Sequence, residues 1–212
     1  MAASPATVVL LHGLWMNAAA MFLLARALRR AGLRTACVGY RPMREPLGAH
    51  LERVSAALRD RGEGPVHLLG HSLGGLVALH ALALPAAARV QRVLLLGSPV
   101  SGCESAMRLA ALPGGRALMG RGLDMLSHPF GCVPVANAAA QVGAIAGTRA
   151  LGLGRLVLGS AADGDGVVSV AETRLPGMAA HRAISVSHSG MLFSREVARQ
   201  SVAWLRDGAF AP

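Results

Sequence analysis

Residues 66–84 read VHLLGHSLGGLVALHALAL, which sets Gly-X-Ser-X-Gly between a short apolar run and a longer helix-forming one. A serine hydroxyl is a weak nucleophile at neutral pH. It attacks a carbonyl only when a tight turn lifts its Oγ toward a base and a substrate. Ser72 holds that place in the pattern, and Gly70 and Gly74 permit the turn, because a side chain at either flank would collide with neighbouring backbone. The pentapeptide alone is a weak signal. A strand before it, a helix after it and partners further along are separate requirements.

Taking the serine proton requires a base, and His188 is the best placed of the eight histidines. It lies in Ser187-His188-Ser189-Gly190, between a run at 182–186 that alternates like a strand and a terminal helix containing Phe193, Val197 and Leu205. The imidazole in turn needs a carboxylate to fix its tautomer and balance its charge. Asp163-Gly164-Asp165-Gly166-Val167-Val168 supplies two in one glycine loop, in a chain with only 11 acidic residues. Asp165 is preferred because the apolar pair after Gly166 can anchor it; Asp163 is the runner-up and Glu172 a distant third. The plain reading is a pair of turn aspartates; for calcium, too few ligands follow. An oxyanion needs two N–H donors, worth about 3–4 kcal/mol each in rate. They are expected from Leu73, at the positive end of the helix after Ser72, and from Leu14, in the sharp turn Leu11-His12-Gly13-Leu14-Trp15. His12 is read as a loop residue, His71 as the variable residue of the elbow and His80 as a buried helix residue. No histidine pair has metal-ligand spacing, and neither metal nor cofactor is expected.

These residues must be carried by a framework, and short strand-like runs alternate with longer Ala/Leu/Arg segments. Strands are expected at 7–11, 34–39, 66–69, 90–96 and 141–146. Helices are expected at 18–30, at 47–61 ended by Gly62, and from Ser72 until Pro85 ends it. This pattern predicts an α/β fold: a mostly parallel sheet with helices on both faces, a three-layer sandwich in one domain over 1–212. Residues 98–137 form an irregular insertion rich in Gly, Pro, Met and Leu, to be read as one or two rim helices or as a small lid. Its Met107, Leu112, Leu118, Met119, Leu123, Met125 and Phe130 would suit the wall of an acyl site.

Composition narrows the chemistry further. The chain is 53% hydrophobic but 3% aromatic, so its pocket should be aliphatic rather than a platform for sugars or bases. The net charge of +10 comes from arginines scattered along a chain without lysine, which reads as compositional bias, not as a nucleic-acid surface. Cys37, Cys103 and Cys132 are too few and too far apart for a disulfide framework or a zinc site. The amino terminus lacks the features of a signal peptide, and no apolar stretch of about twenty residues could cross a bilayer. A cytoplasmic protein is expected, with room only for weak peripheral membrane contact. The oligomeric state is not legible.

In His12-Gly13-Leu14, Gly70-His71-Ser72-Leu73-Gly74-Gly75, Asp165-Gly166-Val167-Val168 and His188, the chain resembles the α/β-hydrolase family, within it the compact lipase and esterase branch. The likeness spans nearly the whole chain and keeps the order nucleophile, acid, base. It implies a Ser72–Asp165–His188 triad, an acyl-serine intermediate and no cofactor. The chain departs from larger members in beginning almost at once with the oxyanion strand, as if a first antiparallel hairpin were lost, and in having no long cap domain. Both departures count against bulky lipase substrates and interfacial activation. The expected function is a serine hydrolase acting on small-molecule or lipid esters, or thioesters, with apolar acyl groups. The alternatives are an acyltransferase using the same acyl-enzyme and a catalytically silent fold that binds a lipid or partner.

Overall fold

The apolar runs pair side by side into a six-stranded sheet, parallel throughout, in the order β2-β1-β3-β4-β5-β6. The computed structural model describes residues 5–60, 64–130, 139–151 and 163–212. Gly62, Cys132 and the end of the insertion after residue 130 lie outside the described residues. The strands are β1 (Thr7–Leu11), β2 (Arg34–Val38), β3 (Val66–His71), β4 (Val90–Leu96), β5 (Gln141–Gly147) and β6 (Ala180–Ile184). Every residue of β1 and β3 is buried, as a central parallel strand covered on both faces requires.

Alternation along the strands divides the core in two. Val8, Leu10, Leu69, Leu94 and Leu96 face a layer built from α1 (Phe22–Arg30) and the terminal helix α7 (Arg195–Asp207). Val9, Leu11, Leu68, Val93 and Leu95 face α2 (Leu47–Arg59) and α3 (Leu73–Ala81). Trp204 of α7 is fully buried, and its indole donates to the Val93 carbonyl at 3.2 Å. Glycine at 143 makes room for that ring, since a Cβ there would approach Trp204 Cε2 to 2.5 Å.

Several boundaries differ from the sequence expectation. The first helix opens as a 3-10 turn over Ala18–Met21, because the Asn17 side chain accepts from the Ala19 N–H and fixes a tighter start. β3 runs two residues past Leu69, to the elbow itself. α3 closes at Ala81, and Pro85 opens a separate 3-10 turn, Pro85–Arg89. β6 is Ala180–Ile184 rather than 182–186, and Phe193 precedes α7 rather than joining it, because Ser194 caps that helix by accepting from the Val197 N–H. The insertion folds into three short helices: α4 (Glu104–Ala111), α5 (Gly115–Met119) and α6 (Gly122–Leu126). Their buried residues join the α2–α3 side of the core, so the insertion caps that side of the sheet's carboxyl edge. Among the described residues no helix is long and apolar enough to cross a membrane.

Two buried histidines on β3 tie stability to pH. Burial, aided by the Arg92 charge, pushes His67 down to about 4, and burial, aided by His188, pushes His71 down to about 3. Their pKa values in the folded chain thus lie below the unfolded value near 6.5, so the unfolded state binds more protons in acid. The stability from keeping them neutral is complete above about pH 6.5 and is lost as pH falls toward their folded values. Urea titrations at pH 7, 6 and 5 should show unfolding free energy dropping, with these two rings contributing about 3 kcal/mol per pH unit to the limiting slope. Constant stability over that range would mean that the two rings are not held neutral by the fold.

Candidate active site

β3 ends at His71, and the next residue, Ser72, turns the chain into α3 with φ 54° and ψ −125°. Left-handed dihedrals are costly for a side-chain-bearing residue, so surrounding structure has to impose them. Hydrogen bonds do so on both sides: the Ser72 N–H donates to the Leu96 carbonyl at 2.8 Å, and the Gly75 N–H donates to the Ser72 carbonyl at 3.0 Å. Close packing completes the turn. A Cβ at Gly70 would overlap the backbone of Gly74 and Gly75, and one at Gly74 would overlap the Leu11 carbonyl and lie 2.6 Å from that of His12.

The loop before β6 supplies the carboxylate. Asp165 is 1% exposed; its Oδ1 accepts the N–H groups of Val167 (2.9 Å) and Val168 (2.8 Å), and its Oδ2 lies 2.7 Å from His188 Nδ1. The His188 N–H also donates to the Asp165 carbonyl at 3.0 Å, so main chain and side chain both join the two loops. With Oδ1 occupied, Oδ2 is left to accept from Nδ1–H. That fixes the tautomer whose Nε2 carries a lone pair. Asp163, by contrast, has an exposed side chain and does not enter the site. Glu172 is no partner of His188 either: its Oε2 accepts from Ser169 N–H (2.7 Å) and Oγ (2.9 Å), and its Oε1 accepts from the Glu104 N–H (2.6 Å) at the start of α4.

Three features of the site escaped sequence reasoning. His71 is fully buried, and its Nε2 lies 3.0 Å from the His188 carbonyl, which can only accept, so Nε2–H donates and ties the His188 loop to the elbow. The two rings pack with centroids 4.8 Å apart. His12 is also fully buried, burial lowers its pKa, and its Nδ1–H donates to the Gly13 carbonyl at 2.9 Å. Tyr40 stacks on the His12 ring at 4.2 Å and donates its hydroxyl to the His12 carbonyl. Because a trans peptide points its C=O and N–H in opposite directions, holding Gly13 O on His12 turns the Leu14 N–H the other way. Third, Gly97, at φ 56° after β4, is needed for volume: a Cβ there would lie 2.9 Å from Asp165 Oδ2 and 3.2 Å from His188 Nδ1. Burial and backbone bonding carry no spacing signature, so no motif announces them.

Ser72 and His188 open onto one cavity of about 260 Å³, whose wall includes Leu14, Ala106, Leu109, Met119, Leu126 and Val167. The Leu73 N–H stands at the first residue of α3, and that of Leu14 in the turn after β1; among the described residues neither donates to another protein group. Of the insertion residues expected on the wall, only Met119 lines it. Met107, Leu112 and Leu118 are exposed, Leu123 is core, and Met125 and Phe130 face a separate cavity with His80. Cys103, which caps α4, and Ala106 and Leu109 within it face inward at threefold spacing, which leaves Met107 on the outer face.

A family model described as "Alpha/beta hydrolase family" matches residues 8–211. No curated protein matches the chain. Among solved structures, the chain is similar to the mature form of the Bacillus licheniformis lipase BlEst2, with TM-score 0.79 and 20% identity over 96% of this chain and 93% of that one. It is also similar to the metagenomic carboxyl esterase MGS0156, with TM-score 0.70 and 18% identity over 89% of this chain and 66% of that one. A third likeness is to the type II thioesterase BorB from the borrelidin biosynthetic cluster, with TM-score 0.64 and 17% identity over 94% of this chain and 90% of that one. At these identities the likeness is one of fold.

The packing of the elbow can be tested by stability alone. Gly74→Ala should lower Tm by about 10 °C, because the new methyl has only backbone to displace. Gly48→Ala in α2, where nothing lies within 4 Å of the new Cβ, should raise Tm by about 2 °C through helix propensity. Calorimetry showing equal, small effects at the two positions would show that the elbow has room to spare.

Proposed function

Because the chain belongs to the alpha/beta hydrolase family, we propose that it is a serine hydrolase cleaving carboxylic esters, thioesters included, with apolar acyl groups through an acyl-serine intermediate. The observation that carries this reading is the buried Asp165–His188 pair at 2.7 Å, opening with the strained Ser72 onto one apolar cavity. In the reaction Ser72 Oγ attacks the carbonyl carbon while its proton passes to His188 Nε2. Asp165 keeps the ring oriented and balances the imidazolium charge. The carbonyl oxygen, now an oxyanion, accepts from the N–H groups of Leu14 and Leu73. When this intermediate collapses, the alcohol or thiol leaves with the proton from His188 and the acyl group stays on Ser72. Water then attacks with His188 as base, and a second collapse releases the acid and returns the proton to Ser72.

The cavity supports the choice of substrate. Among the described residues its lining includes no Arg, Lys, Asp or Glu, so a charged acyl group would meet no opposite charge among them, at a cost of several kcal/mol. An aliphatic acyl chain instead meets Leu, Met, Ala and Val side chains. The lipase, esterase and thioesterase among the similar structures agree with ester or thioester cleavage.

Ser72→Ala should bring turnover of p-nitrophenyl butyrate to background and abolish labelling by a fluorophosphonate probe. Asp165→Asn keeps the Oδ1 acceptor for Val167 and Val168 but turns an amide donor toward Nδ1. It should lower kcat about 10⁴-fold with little loss of fold, by forcing the wrong tautomer. Full activity in the Ser72 variant would sink the mechanism.

A further inference from the structure

Besides Ser72, one other described non-glycine residue, Trp15, has a positive φ, at 56°. At Ser72 the strain presents a hydroxyl. At Trp15 burial cannot explain it, because the side chain is 55% exposed. An aromatic residue in the left-handed region is an outlier that needs an external constraint. The constraint is a hydrogen bond 103 positions away: the Trp15 indole N–H donates to the Leu118 carbonyl at 2.9 Å. Leu118 lies in the last turn of α5, where carbonyls have no helical partner.

We propose that Trp15 is a positioning residue that latches the oxyanion turn to α5, so that an acyl chain seated under the insertion helps to set the Leu14 N–H. The proposal rests on the reaction given above. Each end of the latch is one residue from a working part: Leu14 precedes Trp15, and Met119, which follows Leu118, lines the cavity beside Trp15 itself. α5 is suited to respond, being five residues long between Gly114 and Gly120, both at positive φ. An acyl chain long enough to reach Met119 braces α5, the Leu118 carbonyl steadies the indole, and the turn carrying the Leu14 N–H is held where the oxyanion forms. A short acyl group leaves the latch to hold unaided. Binding energy from the far end of the acyl chain then appears in kcat rather than only in KM.

The test is a series of p-nitrophenyl esters from acetate to octanoate, with wild type, Trp15→Phe and Trp15→Gly. Phenylalanine keeps an aromatic ring without the N–H, whereas glycine accepts the left-handed dihedrals without the latch. In wild type kcat should rise with chain length. In both variants the octanoate-to-acetate ratio of kcat should fall about tenfold, the scale of one hydrogen bond, while the ratio of KM moves by less than about threefold. Amide hydrogen exchange on the unliganded protein gives a readout free of turnover: in Trp15→Phe, segments 12–17 and 114–121 should loosen together. Equal losses of kcat on every ester, a wild-type chain-length dependence in Trp15→Gly, or loosening of only one segment would overturn the latch. A wild type that neither hydrolyses esters nor reacts with fluorophosphonate defeats the serine-hydrolase reading instead, and the exchange measurement still decides whether the two segments are joined.

Discussion

Six parallel strands deliver their carboxyl ends to one edge of the sheet, and the groups of the site leave from that edge. β1 runs into the turn bearing Leu14, β3 into Ser72, β4 into Gly97 and β6 into the loop bearing His188; Asp165 lies on the segment joining β5 to β6. An antiparallel sheet would send alternate connections to opposite edges. Parallel pairing brings positions 14, 72 and 188 to that edge within a few residues of a strand end, and position 165 joins them from the longer segment between β5 and β6. The same pairing buries the central strands on both faces, so rigidity and convergence have one cause.

Within that frame, histidine tautomers are set by acceptors that cannot donate in return. His188 faces the Asp165 carboxylate, His71 the His188 carbonyl and His12 the Gly13 carbonyl. A neutral imidazole that must give its one N–H to such a group has its other nitrogen defined as a lone pair. Burial lowers the pKa of His71 and His12, which keeps those two rings neutral and in place. The first bond fixes the turn after β1 on itself, and the other two run from the elbow through the His188 loop to Asp165.

Much of the scaffold was legible because central parallel strands must be apolar on both faces, and runs such as Val8-Val9-Leu10-Leu11 have few other uses. The glycines at 70 and 74 were legible because their spacing around a serine reflects a steric need. The alternation places β6 two residues late, since this edge strand, AHRAI, is only partly buried. Ser72, Asp165 and His188 are singled out by residue type and order, because each stands at a break between elements. The cavity wall could not be inferred in the same way. Which faces of α4, α5 and α6 turn inward depends on how three short helices dock, and their apolar residues lie on both sides. Gly97 was invisible for a related reason: the volume it leaves is for Asp165 and His188, far along the chain.

Glu172 is bonded through one oxygen to Ser169, behind the Asp165 loop, and through the other to the first turn of α4. The beginning of the insertion and the Asp165 loop are therefore joined through this carboxylate, beside the bond that Ser105 Oγ of α4 donates to the Val167 carbonyl at 2.6 Å. A cap fastened in this way cannot swing out as a unit without pulling on Asp165, which places its freedom of movement beyond α4. The same geometry sets a rule for redesign and for natural divergence. Chamber-lining residues such as Leu109 and Leu126 can be exchanged for other apolar ones to reshape the chamber, whereas the joint between Glu172, Ser169 and the amide of Glu104 has to be inherited whole.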